Sequence, residues 1–184
     1  AGRIYDGAHL HTFMSDQALR DAVSHYRAGE AEAGKPGNGK IWSVFATGCD
    51  LSEEKYLKFI VARLATYLQF PHYGEALVRV NGWDMDTLKA FRAHPDVTNV
   101  GGAIDSVASL TQIAKIDKLI PQAWRPAAVG DARTCAQRWV DQFNAGADGI
   151  IIHASTPEEF EPVLSEYEKI RPNALFEGRT NRPG

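Results

Sequence analysis

Apolar residues along this chain follow two rhythms. Short apolar runs, Gly7–Thr12, Ile41–Thr47 and Gly149–His153, read as strands, the middle one rich in β-branched and aromatic residues. Elsewhere the apolar positions recur every three or four residues. Ala18, Leu19, Ala22, Val23 and Tyr26 mark one face of a helix that Ser15 caps and that runs to about Ala33, where Gly34-Lys35-Pro36-Gly37-Asn38-Gly39 stops it. Tyr56, Phe59, Ile60, Leu64 and Tyr67 mark a second helix, from Ser52 to about Phe70, with Glu53 and Glu54 placed to complement its dipole. Strands separated by helices predict a parallel sheet, because parallel neighbours need a crossover.

One phrase occurs twice, as Asp6-Gly7-Ala8-His9-Leu10-His11 and as Asp148-Gly149-Ile150-Ile151-Ile152-His153. Each copy enters a βα turn and ends in histidine. In parallel α/β architectures the C-terminal ends of the strands face the ligand crevice, so the phrase nominates His11 and His153 as pocket-facing groups.

Residues 71–125 show no strand pattern. Short helices are expected at Gly74–Val80, Asp84–His94 and Ser106–Leu119, with Trp83, Phe91, Leu110, Ile113, Ile116 and Trp124 as their shared core. A connection this long is an insertion with its own helical packing. Gly130-Asp131 then caps a helix to Ala145, which Gly146 ends. Thr156-Pro157-Glu158-Glu159 joins a capping box to proline at the first helical position and starts a helix ending near Arg171. Residues 177–184 read as a frayed tail within a single domain spanning 1–184.

The 184 residues suffice for one domain with a real core, and 44% hydrophobic with 23% charged residues is ordinary for a globular protein. A net charge of -3 with no Lys/Arg cluster argues against a nucleic-acid track and favours a small-molecule substrate or a protein subunit as partner. No apolar run reaches membrane-spanning length, and no export leader opens the chain. Cys49 and Cys135 are expected as reduced thiols, so the expected location is cytoplasmic. The chain starts at Ala1-Gly2-Arg3-Ile4-Tyr5-Asp6 without Met and runs straight into a strand, which reads as a piece of something longer.

Three strands with flanking helices and one helical insertion make part of a (β/α)8 barrel, which needs eight strands and typically ~250 residues. The residues from Ala145 to His153, followed by Thr156 to Leu164, resemble the closing strand and last helix of the luciferase-like oxidoreductases, TIM-barrel enzymes that use FMN or coenzyme F420, a deazaflavin. Ala1 to Gly7 is similar to the run entering that family's sixth strand. Phe70-Pro71-His72-Tyr73-Gly74-Glu75-Ala76-Leu77 and Asn81-Gly82-Trp83-Asp84 look most like a deazaflavin-dependent branch, and Gly130 with Thr134, Cys135, Ala136 and Arg138 fits the penultimate helix. The resemblance implies the C-terminal half of an enzyme that moves a hydride between coenzyme F420 and an organic substrate, with FMN-dependent monooxygenation as the alternative. It also implies that the catalytic residues, much of the ring platform and the phosphate-holding segment lie upstream of Ala1. The isolated chain is therefore expected to bind neither cofactor and to be inactive.

The residues expected near cofactor or substrate are His11 and Thr12 at the first strand end, Met14 in the following loop, Thr47 at the middle strand end and His153 at the last. An imidazole offers one donor and one acceptor and changes charge near neutral pH. His9, one pleat deeper, is expected in the core. Ser155 and Thr156 sit at a helix N-terminus that either binds an anion or is closed by its own cap. Cys49 and Cys135 have no neighbouring His or Lys to lower their pKa. The rival chemistry is a metal-dependent hydrolase, in which His9 and His11 reach one metal and His153 is the third ligand. A further alternative is a non-catalytic half-barrel. Its open face, carrying Leu10, Val44 and Ile151, would pair with a copy of itself or with a missing N-terminal half.

Overall fold

A computed structural model describes residues 1–177. Four strands lie in one parallel sheet, centred on β2 (Lys40–Cys49). β1 (Gly7–His9) pairs with β2 at Lys40–Trp42, β4 (Gly149–His153) pairs with it at Trp42–Ala46, and β3 (Ala128–Gly130) pairs with its C-terminal end at Thr47–Cys49. The expected parallel neighbourhood of three strands is present. The fourth, β3, was not expected; at three residues it is too short to carry a period, and its Gly130 reads as part of the following cap.

The repeated phrase has a structural cause. Both copies flank the start of β2, where Asp6 C=O accepts from Lys40 N at 3.0 Å and Asp148 N donates to Ile41 C=O at 2.7 Å. The glycine after each aspartate allows close approach: a Cβ on Gly7 would fall 2.7 Å from Lys40 O, and one on Gly149 would fall 2.5 Å from the Trp42 ring.

Helices cover one face of the sheet. α1 (Asp16–Glu32) follows β1, α9 (Ala132–Asn144) follows β3, and α10 (Pro157–Ile170) follows β4. Caps at Ser15, Asp131 and Thr156 each accept the backbone N–H three residues on, and Thr156 closes a complete capping box with Glu159. Phe45, Cys135, Ala136, Trp139 and Val163 form the core beneath this face, with Ile150 and Ile152 packed against it.

Between β2 and β3 the chain makes a helical excursion, as expected for 71–125, though it begins earlier. α2 (Glu53–Tyr56), a π-helical turn (Leu57–Val61) and α3 (Ala62–Gln69) form one rod, capped by Ser52. α4 (Tyr73–Asn81), α5 (Met85–Ala93), α6 (Pro95–Thr98), α7 (Ile104–Val107), α8 (Leu110–Asp117) and a 3-10 turn (Gln122–Trp124) complete it. The expected helix Ser106–Leu119 is two, because Ser109 caps a new one with Gln112 in a capping box. The largest apolar core belongs to this cap and includes Phe13 and Ala46 from the strand side. Trp83 stacks on Trp124 within it, with centroids 4.9 Å apart. Leu110, expected inside, is 37% exposed on the outer side of α8.

The other face of the sheet is open. His9 is exposed and Trp42 is 39% exposed, with Val44 and Ile151 half-buried. The expectation of a core position for His9 fails here, since a residue facing a barrel interior is buried only when the barrel closes over it. Leu10, expected on this face too, borders with Val44 a recess at the strand ends while also packing with Leu19, Ala145 and Ala147. The expected tail lies outside the described residues except for Glu177.

Candidate functional site

The C-terminal ends of β1, β2 and β4 meet the underside of the cap. β1 stops at His9, earlier than expected, although Leu10 N still donates to Trp42 C=O at 2.8 Å. His11 and Thr12 therefore lie in the turn after the strand. That turn is forced by Phe13, a fully buried residue with φ of 60°. Ala154, just past β4, also has positive φ, at 71°. Such conformations cost roughly 1–3 kcal/mol each and persist where surrounding packing imposes them. The Phe13 ring sits in T-shaped contact with His153 at 5.9 Å and with Tyr67 at 6.1 Å.

Two histidines come together with cap residues. His11 Nδ1 faces Thr12 C=O at 2.9 Å; a carbonyl only accepts, so Nδ1 carries the proton. In the neutral ring this leaves Nε2 to accept the Tyr73 hydroxyl proton, and the two groups are in hydrogen-bond contact. The His11 ring meets Tyr67 and Tyr73 edge-on, at 4.8 and 5.1 Å, and these two tyrosines stack on each other. Burial, then the neighbouring Tyr67, pushes the Tyr73 phenol upward in pKa. Thr12, 4% exposed, shares a hydrogen bond between its hydroxyl and His153 Nε2. Burial, aided by the charges of Arg63 and His11, lowers the His153 pKa to about 4, so its imidazole is neutral at physiological pH.

Three cavities adjoin this cluster. A recess of about 320 Å³ lies among His11, Thr12, Val44, Arg63, Tyr67 and His153. An apolar groove of about 270 Å³, walled by Met14, Tyr73, Ala76, Leu77 and Val80, lies on the other side of His11. A larger cavity of about 880 Å³ opens between the α2–α3 rod and the β4–α10 junction, and Arg63 and His153 belong to its wall as well.

Of the residues nominated from the sequence, His11, Thr12 and His153 wall the recess, and Met14 walls the apolar groove. Thr47 does not join them. It is fully buried, and its hydroxyl accepts from Trp139 Nε1 at 2.9 Å on the helical side of β2. Alternation along the strand puts it on the face opposite Ala46, whose partner in β4 is His153. The sequence reading missed Arg63, Tyr67 and Tyr73. Tyr67 was assigned to the apolar helix face, and only the fold of the cap brings it over a strand end. Burial pushes the Cys135 thiol up to about 12 and also raises Cys49, so neither is poised as a nucleophile.

The metal-hydrolase arrangement is not assembled. The His9 ring turns toward Trp42, with centroids 6.4 Å apart, and both nitrogens of His11 are engaged within the site. Among the described residues no group of three or more His, Cys, Asp or Glu side chains is placed to hold one metal ion. The helix N-terminus at Thr156 is closed by its capping box. No described helix is long and apolar enough to cross a membrane.

No protein-family model matches the chain, and no curated protein matches it. Among solved structures, the chain is similar to a coenzyme F420 dependent tetrahydromethanopterin reductase from Methanopyrus kandleri, with a TM-score of 0.61 at 15% identity. The match covers 91% of this chain and 44% of that one, so the chain spans less than half the length of the reductase. The fold is thus a partial (β/α)8 barrel, shared with part of that reductase.

Proposed function

We propose that this chain supplies the C-terminal strands and the helical cap of a luciferase-like oxidoreductase that transfers a hydride between coenzyme F420 and an organic substrate. The observation that supports this reading is the convergence of His11, Thr12, Tyr67, Tyr73 and His153 at the C-terminal strand ends under a helical cap, in a fold shared with an F420-dependent reductase. FMN in place of coenzyme F420 is the close alternative.

The residues present fit one wall of a cofactor pocket. The recess offers an aromatic side from Tyr67 and hydrogen-bonding groups from His11, Arg63 and His153, while its remaining side opens toward the uncovered face of the sheet. The deazaflavin supplies the hydride chemistry when bound, and the protein's part is placement and exclusion of water. Within this wall, Phe13 wedges His153 in place, Thr12 fixes its Nε2, and the Tyr73 hydroxyl, from the groove side, holds the His11 ring that borders the recess. The partner in this reading is whatever closes the barrel, either a missing N-terminal half or a second copy of the chain.

Cofactor fluorescence tests it. A larger polypeptide carrying this chain at its C-terminal end should bind coenzyme F420 saturably at micromolar concentration. The 184-residue chain alone should show no saturable binding of F420 or FMN below about 1 mM, the weak end of the affinity scale. Micromolar binding by the chain alone, or none by the larger polypeptide, overturns the reading.

A further inference from the structure

Residues 11–15 lead from β1 into α1, and one helix of the cap grips them with both of its ends. α4 (Tyr73–Asn81) has nine residues, about 12 Å from first to last at roughly 1.5 Å per residue. Its first residue, Tyr73, bonds His11 through the hydroxyl. Its last, Asn81, reaches the same loop further along: Nδ2 donates to Phe13 C=O at 3.0 Å, and Oδ1 accepts from Ser15 N at 2.6 Å. Nδ2 also donates to Leu77 C=O at 2.9 Å, one turn back in α4. Both amide protons and the amide oxygen are thus engaged, and the opposite orientation would set the NH2 against an N–H and the oxygen against two carbonyls. Between these two pins the helix and the loop wall the apolar groove of about 270 Å³ from either side.

The Asn81 oxygen fills a role that other helices here fill for themselves. In α10 and α8 the N-cap N–H is answered by the side chain three residues on, Thr156 N by Glu159 at 2.9 Å and Ser109 N by Gln112 at 2.8 Å. The corresponding residue of α1 is Ala18, which is 2% exposed and has no acceptor to offer. Ser15 N is answered instead from 66 residues away. The bond to Phe13 bears on the site directly. Phe13 has φ of 60°, a conformation that a bulky residue keeps only where its surroundings hold it, and Asn81 holds its carbonyl. The peptide joining Thr12 to Phe13 turns with that φ, and its carbonyl is the acceptor for His11 Nδ1–H at 2.9 Å. The same turn seats the Phe13 ring against His153.

We propose that Asn81 is a positioning residue of the strand-end site. From the helical cap it completes the N-terminal capping box of α1 and pins the Phe13 turn, and through that turn it sets the orientation and tautomer of His11. This grip is the same whatever ligand the recess takes, coenzyme F420 and FMN included.

Long-range proton–nitrogen NMR of the histidine-labelled chain near neutral pH tests it, because the spectrum tells which ring nitrogen carries the proton. The unaltered chain should carry the His11 proton on Nδ1 and exchange the Ser15 amide slowly. Asn81→Ala should move that proton toward Nε2, the tautomer an imidazole in water prefers, and speed Ser15 exchange about tenfold or more. Asn81→Asp still accepts from Ser15 N but cannot donate to Phe13 C=O, so the proton should move while Ser15 exchange stays slow. The aspartate variant also serves where the alanine variant does not fold. Asp84→Ala removes the N-cap acceptor that α5 offers to Thr87 N, loosening the same helical cap away from residues 11–15, and should change neither reading. Free exchange at Ser15 or an Nε2 proton in the unaltered chain, an unmoved proton in the folded Asn81 variants, or an equal movement in Asp84→Ala would overturn the proposal. No cofactor enters these measurements, so failure of coenzyme F420 to bind leaves their outcome untouched.

Discussion

His153 is neutral because it is buried under Phe13 and beside Arg63, and that has a cost that acid should expose. The folded ring has a pKa lowered from 6.5 to about 4. Above pH 6.5 neither state carries the proton, and nothing is lost. Between pH 6.5 and 4 the unfolded chain binds a proton that the folded chain refuses, so stability falls as the medium is acidified, and the loss levels off below pH 4. At about 1.36 kcal/mol per pH unit the ceiling is about 3.4 kcal/mol. The ring is only partly enclosed, and solvent screening reduces that to about 2 kcal/mol. His153→Gln removes the titration while keeping a polar group within reach of the Thr12 hydroxyl. Urea unfolding of both proteins from pH 7.5 to 4, extrapolated linearly, isolates the effect because every other titrating group is common to both. The wild-type protein should lose about 2 kcal/mol more than the variant across that window. Curves that stay parallel within about 0.5 kcal/mol, the scatter of a neutral substitution, would refute the reasoning.

Two further outcomes follow from the sheet. Gly149→Ala should cost about 1–3 kcal/mol, because its Cβ would enter the Trp42 ring; in a Trp42→Val background the same change should cost almost nothing, and thermal unfolding of the four proteins reads that coupling. Sedimentation equilibrium at micromolar concentration should give at least twice the 20.2 kDa chain mass, and Trp42→Glu on the open face should shift it toward monomer, whereas a clean monomer for the unaltered chain would mean the face needs no cover.

What could be read from the sequence is what local chemistry decides. Ser15, Ser52, Asp131 and Thr156 cap helices because each side chain answers an N–H three residues away, and those spacings are visible in the chain. Strands β1, β2 and β4, and the places of His11 just past β1 and His153 at the end of β4, were legible for a similar reason, since a βα turn fixes what stands next to it. Arg63, Tyr67 and Tyr73 were not. Their place in the site depends on how the cap folds back over β1 and β4, and a helix face that meets a cavity has the same period as one that meets a core. His9 failed for the opposite reason: its pattern is that of an interior position, but the side chain faces open solvent along the uncovered side of β2. The strained turn at Phe13 leaves no trace in the sequence, because phenylalanine is not a residue that advertises positive φ.

The cap leaves the sheet after Cys49 and returns at Ala128, and those two ends belong to strands paired side by side, with Gly48 opposite Val129. Its entry and exit are thus separated by little more than the spacing of neighbouring strands, about 5 Å, and the rise of a few residues. A module with adjacent termini can be lengthened, exchanged or pared away while the strands beneath keep their register. Arg63, Tyr67 and Tyr73 all travel with that module, and His11, Thr12 and His153 stay behind with the strands. The cap's side chains over the cluster and the groups nearest the strand ends are therefore carried on separable pieces of chain, free to vary at different rates.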